Sequence, residues 1–505
     1  MSSSARLSVY KIGRITSLLI GLMCCGAGSA RAQETPGATP GAAPAPEAPA
    51  APAEAAAPAP AISPEVERRL EELDQRTRIA ERKLELAQEA SAQRPPAARI
   101  VTSERGFAIG DDGRQFELKL QGLLQVDGRR IFGSDDPVLR DKTDTFLIRR
   151  ARLYFDATVL GLVDARIMPD FGNNTTALLD AYADIHPTPW LRFRAGKFKP
   201  PVGLERLQTD AYVPMPERAL DSNLSAPRDV GAELWGDIAN AAIHYEIVWL
   251  NGNANGTLTD IDDEHAKTYG GRLFLRPFQL GDLRWLGDLG FGFAATTGNE
   301  KGSVTISSGV ATNTWLPTFK SVSQNAIFTY LSSGTDPTMT VFAANRHTRL
   351  NPQLYYYNGP FGLLAEWVKE NQGVTKGLTD ATLNNQAGHV LASWVIGGQN
   401  SYDGVRPNAP ASWATKDFGA VELVVRYGWL EVDEAAFAAP GYSDPSKSVH
   451  KANEWAFDVN WWLNRNVKLY AFWGHTTFEG GAGKATAVTD RPTENVGIAR
   501  VQVAF

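Results

Sequence analysis

A chain of 505 residues with only Cys24 and Cys25 as thiols and a formal charge of −6 excludes several classes. A disulfide-stapled exported fold or a cysteine-bound metal would need thiols that the rest of the chain lacks, and the acidic balance argues against a nucleic-acid partner. Beyond the first residues no run of 18 apolar residues is available for a membrane helix, so a membrane-embedded form has to be a closed β-barrel, the other structure that satisfies every backbone group in lipid.

Arg6, Lys11 and Arg14 precede the apolar run "ITSLLIGLMCCGAG" and the small-residue site Ala30–Arg31–Ala32. That order predicts a secretory signal over residues 1–32, cut before Gln33. Its removal takes away four positive charges and no acids, moving the net charge from −6 to −10. Residues 33–62 are Ala and Pro with few charges, a composition that cannot bury a core and reads as an extended linker. A helix is predicted over 63–92, with Ser63 to cap and Pro64 at the first turn. Val66, Leu70, Leu73, Thr77, Ala80, Leu84 and Ala87 alternate at spacings of four and three, the a and d positions of a short coiled coil.

From about Gln115 the apolar period changes to two. In "RRARLYFDATV", Ala151, Leu153, Phe155, Ala157 and Val159 share one face, opposite Arg150, Arg152, Tyr154, Asp156 and Thr158. "DARIMPDF" sets Asp164, Arg166, Met168 and Asp170 against Ala165, Ile167 and Phe171, and "LLDAYADI" places Asp180, Tyr182 and Asp184 on one side. The last residues, "NVGIARVQVAF", repeat the scheme: Val501, Val503 and Phe505 on one face, Arg500 and Gln502 on the other. Such strands need oil on one side and water on the other. Short turns such as "LNRN" (463–466) alternate with long polar stretches such as "NGNANGTLTDIDDEH" (251–265) and "GGAGKATAVTDRPTEN" (480–495). At roughly 25 residues per strand and connection, 100–505 yields about 16 antiparallel strands, enough for an aqueous channel. Trp429, Trp455, Trp461, Trp473 and Phe505 are expected in an aromatic girdle facing lipid.

The segments "LQGLLQVDGRRIF", "IRRARLYFDATV", "LLDAYADIHPTPWLRFRAGKFKPPVGLERLQTDAYVPMPERAL", "PQLYYYNGPFGLLAEWV", "ELVVRYGWLEVD" and "VNWWLNRNVKLYAFW" together resemble the phosphate-selective porin O and P family. The resemblance runs through most of residues 115–505. It implies a homotrimeric, 16-stranded outer-membrane channel narrowed by inward loops, with arginines and lysines guiding small anions such as phosphate. Carried over by position, it assigns Arg149 and Arg150, Lys197 in "GKFKPPVGLE" and Arg218 in "PERAL" to the anion pathway. Leu123 stands where the phosphate channels have arginine, and the stretch 301–345 is Ser/Thr-rich where they carry an arginine run. General anion passage is compatible with these departures; tight phosphate selection is not implied.

The strand pattern adds Arg152, Arg192 and Arg194 to that pathway, because spaced cationic steps lower the cost of leaving water without trapping an ion. A structural alternative pairs these arginines with Asp156, Asp164, Asp180 or Asp184 to stiffen the wall. Arg149 has the wrong parity for the lumen unless a bulge frees it. Nothing nominates a catalytic residue, a cofactor or a metal. The seven histidines are scattered without metal-binding spacing, and the acidic run Asp260, Asp262, Asp263 and Glu264 lacks the glycine of a calcium loop. A second reading makes the barrel a structural anchor that tethers the envelope, its periplasmic arm reaching peptidoglycan through the linker and coiled coil.

Overall fold

The computed structural model describes residues 63–92, 98–103, 106–132, 144–255, 266–302, 305–307, 310–312, 314–333 and 336–505. The expected signal and linker, and the acidic run 260–264, lie outside them. Helix α1 spans Pro64–Ala92. It starts where Ser63 accepts hydrogen bonds from Val66 and Glu67 at 2.8 and 3.1 Å through its carbonyl. Its seam residues Val66, Leu70, Leu73 and Leu84 are exposed.

The larger unit is a closed antiparallel barrel of 16 strands. The first eight are β1 Phe116–Phe132, β2 Thr145–Val159, β3 Val163–Asp170, β4 Ala177–Thr188, β5 Leu191–Phe198, β6 Asp229–Ile238, β7 Ile243–Leu250 and β8 Thr268–Leu275. The others are β9 Asp288–Lys301, β10 Val341–Asn358, β11 Phe361–Lys376, β12 Thr379–Ile396, β13 Ala420–Glu431, β14 Val449–Trp462, β15 Val467–Lys484 and β16 Glu494–Ala504. Closure runs from Asn495 opposite Phe132 to Ala504 opposite Leu123. Gly122 and Phe505 then exchange backbone hydrogen bonds of 2.7 and 3.0 Å. A hairpin, Ala98–Ser103 with Gly106–Asp111, pairs with the free end of β1.

Alternation decides which side chain sees which medium. On β16, Val501 is 50% exposed on the outer face, whereas Arg500 and Gln502 between the same neighbours are buried inside. Outer aromatics stand at two levels rather than one. Phe361 stacks on Trp394 near the short-turn end, where Trp461 also lies, and Trp249 stacks on Tyr269 near the other. Trp461 and Trp429 sit eight rows apart on the same face, roughly 26 Å of strand at 3.3 Å per residue, so they fit two interfacial belts.

The connections depart from a strict short-long alternation. The end carrying 463–466 also carries 397–419, which contains its own Gly398–Gln399 and Arg406–Pro407 pair. At the opposite end β11 and β12 are joined by only 377–378. The stretch expected as a loop at 480–495 is largely strand, because Gly481–Lys484 pair with Ala487–Asp490 before β16 begins.

Among the described residues several connections reach into the lumen, and two of them pack together there. Residues 199–228, between β5 and β6, lie across it. Phe319–Lys320 and Ala326–Phe328, between β9 and β10, form a small hairpin whose Phe319, Ile327 and Phe328 pack with Leu220 and Leu224. Burying those three side chains contributes roughly 5–8 kcal/mol as an upper bound. Asn223 donates to the carbonyl of Lys320 at 2.9 Å and accepts from its N–H at 2.8 Å, joining the two inward segments.

Candidate functional site: the narrowed lumen

The inward loop is fixed through its own carbonyls. Between Asp210 and Glu217 they accept in turn from Gln125, Gln502, Lys468, Asn460, Arg500 and Arg426, at 3.4, 2.8, 3.1, 2.7, 2.7 and 3.0 Å. Pro214 and Pro216 lack an N–H, so this segment has few donors to satisfy and its acceptors are met by the wall. The loop's first turn docks on β10 and β11. Gly203, at φ +93°, donates to Asn351 Oδ1 at 2.8 Å, while Leu204 and Glu205 donate to Glu366 at 2.5 and 2.8 Å. From the short-turn side the Tyr402 hydroxyl donates to the carbonyl of Leu204 at 2.6 Å. Strands β10–β16 and β1 are thereby covered, and space is left against β2–β7.

That space is a cavity of about 220 Å³. Its cations are Arg152, Arg166, Arg194, Lys199 and Arg228; its carboxylates are Asp180, Asp210, Glu233 and Glu246. Tyr154, Tyr182, Phe198 and Trp235 supply apolar wall.

The residues expected in the pathway divide into groups. Arg149 owes its position to a bulge: Gln125 pairs with Arg150 and Val126 with Ile148, leaving Arg149 unopposed. It reaches Glu217 of the loop by two bonds of 2.7 and 2.9 Å. Arg150 bonds Gln125 at 2.6 Å and lies 3.5 Å from Asp210. Arg152 bonds Asp170 at 2.7 Å and also Asp210. Arg218, in the loop, bonds Asp210 at 2.5 Å. Burial alone would raise the Asp210 carboxyl, but Arg152, Arg218 and Arg150 outweigh it and hold it well below the ordinary carboxylate range. Glu217 is held low in the same way by Arg149 and Arg129.

Arg192 and Arg194 stand on the next wall section and flank Trp235 at 4.3 and 4.8 Å from its ring. Both bond Asp184, and they also reach Asp164 and Glu233 respectively. The wall pairing considered from sequence is thus met by Arg192 and Arg194 but not by Arg150 and Arg152, whose carboxylates are Asp210 and Asp170; Asp156 and Asp180 are taken instead by Arg166 and Arg228. Lys197 is buried and falls, by register, opposite Ala181 and Val230 on the outward-parity row. Leu123 faces inward and is buried with Tyr154, Met168, Leu179 and Ala211, forming an apolar seat for the loop where an arginine is expected in phosphate channels.

Sequence reasoning did not select Arg129, Arg166, Lys199, Arg228 or Arg500. Arg166 and Arg500 carry the inward parity, which is signal enough; Lys199 and Arg228 sit at the loop's ends, where parity gives none. No histidine spacing points to a metal, yet among the described residues Asp221, Glu366 and His389 bring ligand atoms within 4.8 Å of one another.

Residues 119–505 match the family described as phosphate-selective porin O and P. The chain belongs to that family. It is therefore an outer-membrane porin. Comparison with curated proteins finds no match. Similar solved backbones include the outer membrane channel DcaP of Acinetobacter baumannii, at 11% identity and TM-score 0.48 over 78% of this chain and 98% of that one. An anion-selective porin from Comamonas acidovorans aligns at 9% identity and TM-score 0.46, over 77% and 100%. OmpT of Vibrio cholerae, in its trimer form, aligns at 11% identity and TM-score 0.44, over 77% and 99%.

Proposed function

We propose that this porin passes small anions, phosphate among them, by passive diffusion along the β2–β7 side of its lumen. The observation that carries the reading is the cavity lining, where five cations face four carboxylates. Among the described residues Lys199 bonds the carbonyls of Leu207 and Gln208, at 3.2 and 2.7 Å, and none of those carboxylates. Arg150, Arg152, Arg192 and Arg194 line or flank the path, with Arg149 and Arg218 setting the loop against it. Because Leu123 and the 301–345 stretch add no arginine, phosphate is favoured over chloride only weakly. The test is a planar bilayer under a KCl gradient. A reversal potential of anion-selective sign is expected, and one of cation-selective sign, or one unmoved by Arg152→Ala with Arg194→Ala, rejects the reading.

The exposed seam of α1 supports a second element: the arm associates with copies of itself as a coiled coil, in keeping with a trimer, and extends through the periplasm toward peptidoglycan. Removing residues 33–95 should leave conductance intact and reduce peptidoglycan retention. Equal retention with and without the arm rejects the tether.

A further inference from the structure

Glu366, His389, Gly428 and Glu454 occupy one cross-strand row on the inner face of β11, β12, β13 and β14. The inward loop lays Asp221 against this row, its Oδ1 2.9 Å from His389 Nδ1. Asp221, Glu366 and His389 each offer a ligand atom within 4.8 Å of the others, and all three are buried.

Two atoms of the row have no hydrogen-bond partner among the described residues, His389 Nε2 and Glu454 Oε2, although both side chains are fully buried. Between them in the row stands Gly428. A Cβ added there would come within 3.2 Å of Glu454 Oε2, so the missing side chain keeps open a gap that any other residue would fill.

The charges point to what this corner takes. Asp221, Glu205, Glu366 and Glu454 converge on this corner. The fixed cation among them is Arg426, which reaches Glu205 at 3.3 Å and Glu454 at 2.8 Å. Buried carboxylates persist when they are paired or bind a metal. A metal among the three would take the place of the proton between Asp221 Oδ1 and His389 Nδ1, so that both atoms turn lone pairs to the ion while Nε2 keeps its N–H; an imidazole held through its second nitrogen, here by a water, is a recurring support for a bound metal. Mixed imidazole and carboxylate donors suit zinc, whereas magnesium and calcium take all-oxygen sets and keep more water.

We propose that Asp221, Glu366 and His389 form a binding site for one divalent transition-metal cation, with zinc preferred, which clamps the inward loop to the barrel wall. The site lies outside the cavity lining and does not depend on the ion preference argued above.

The experiment uses the full-length protein in detergent, stripped with EDTA and titrated with zinc chloride by calorimetry, with bound metal counted by mass spectrometry. One zinc per chain is expected, with affinity lowered at least tenfold in His389→Gln and in Asp221→Asn. Equal zinc binding in the parent and His389→Gln, preference for magnesium or calcium, or no binding at all overturns the proposal. Should the variants fail to assemble, anomalous diffraction from zinc-soaked crystals of the parent decides. A peak beside His389 supports the site, and a peak elsewhere or none, as expected if water alone fills the gap, overturns it.

Discussion

Asp210 is the carboxylate on which the electrostatics of the narrow zone turn, and Asp210→Asn isolates its charge. The side chain receives Arg152, Arg218 and Arg150, and its backbone carbonyl accepts from Gln125. Asparagine keeps the shape and one acceptor, so the loop retains its backbone bonds while three guanidiniums lose their shared counter-charge. An ion passing roughly 6 Å from that charge in water-like surroundings feels about 0.7 kcal/mol, of opposite sign for chloride and potassium. The two effects add to about 1.4 kcal/mol, a tenfold change in permeability ratio in dilute salt. At 0.1 M salt a screening length of about 10 Å reduces this to about fourfold. The assay is the reversal potential under a KCl gradient at both ionic strengths, on protein whose barrel migrates as the parent does. A ratio unchanged at low salt, or shifted toward potassium, would refute the argument that local charge governs this pore.

Arg149→Ala leaves a buried Glu217 with Arg129 and Gln324 as bonded partners and Arg500 at 3.8 Å; breaking one side of a buried charge pair costs on the order of 3–5 kcal/mol. A lower urea midpoint is expected, and an unchanged one would mean that the bulge contributes nothing. Burial, with Arg228 and Arg218 beside it, pulls the Lys199 ammonium well below the ordinary lysine range. A lowered amine sheds its charge at lower pH than a free lysine, so anion preference should fall as pH rises toward 10; Lys199→Met should flatten the profile, and an identical profile in that variant counts against the assignment. Tyr402→Phe removes the hydroxyl's bond to the loop, worth about 1 kcal/mol, and leaves the bond from Gln208 to the Tyr402 carbonyl. Larger current fluctuations are expected in single channels, with no change in ion preference.

The barrel was legible because its two media write themselves on alternate residues. Arg500 and Gln502 against Val501 suffice to orient β16, and the same test orients β2 through Arg150, Arg152 and Leu153. What parity could not supply was anything set by a loop. The bulge at Arg149 depends on pairing with β1, and the burial of Leu123 depends on Ala211 descending onto it. The extent of pairing around Arg192 and Arg194 was open for a related reason. Asp164, Asp184 and Glu233 lie on neighbouring strands, and their distance from a guanidinium follows from register, which the sequence does not state. His389 shows the limit most clearly, since its carboxylate partners come from β11 and from the inward loop.

The same residue types perform two tasks in this lumen, and access to water separates them. On β13–β16, Arg426, Lys468, Arg500 and Asn460 are buried, and each gives a donor to a loop carbonyl, while Arg426 and Arg500 are also paired with Glu454 and Asp127. A cation fixed in that way holds the loop but presents little surface to a passing ion. Against β2–β7, the side chains of Arg166, Arg192 and Arg194 stay partly accessible while they contact carboxylates and aromatic rings. An ion there can exchange hydration for a brief guanidinium contact without displacing a full counter-charge, which gives the weak, repeated sites that conduction requires. The loop's prolines connect the two halves. By leaving carbonyls in excess over N–H groups, the segment around Pro214 and Pro216 draws the wall's donors to one side. Moving that segment should therefore change selectivity even where no charged residue is altered.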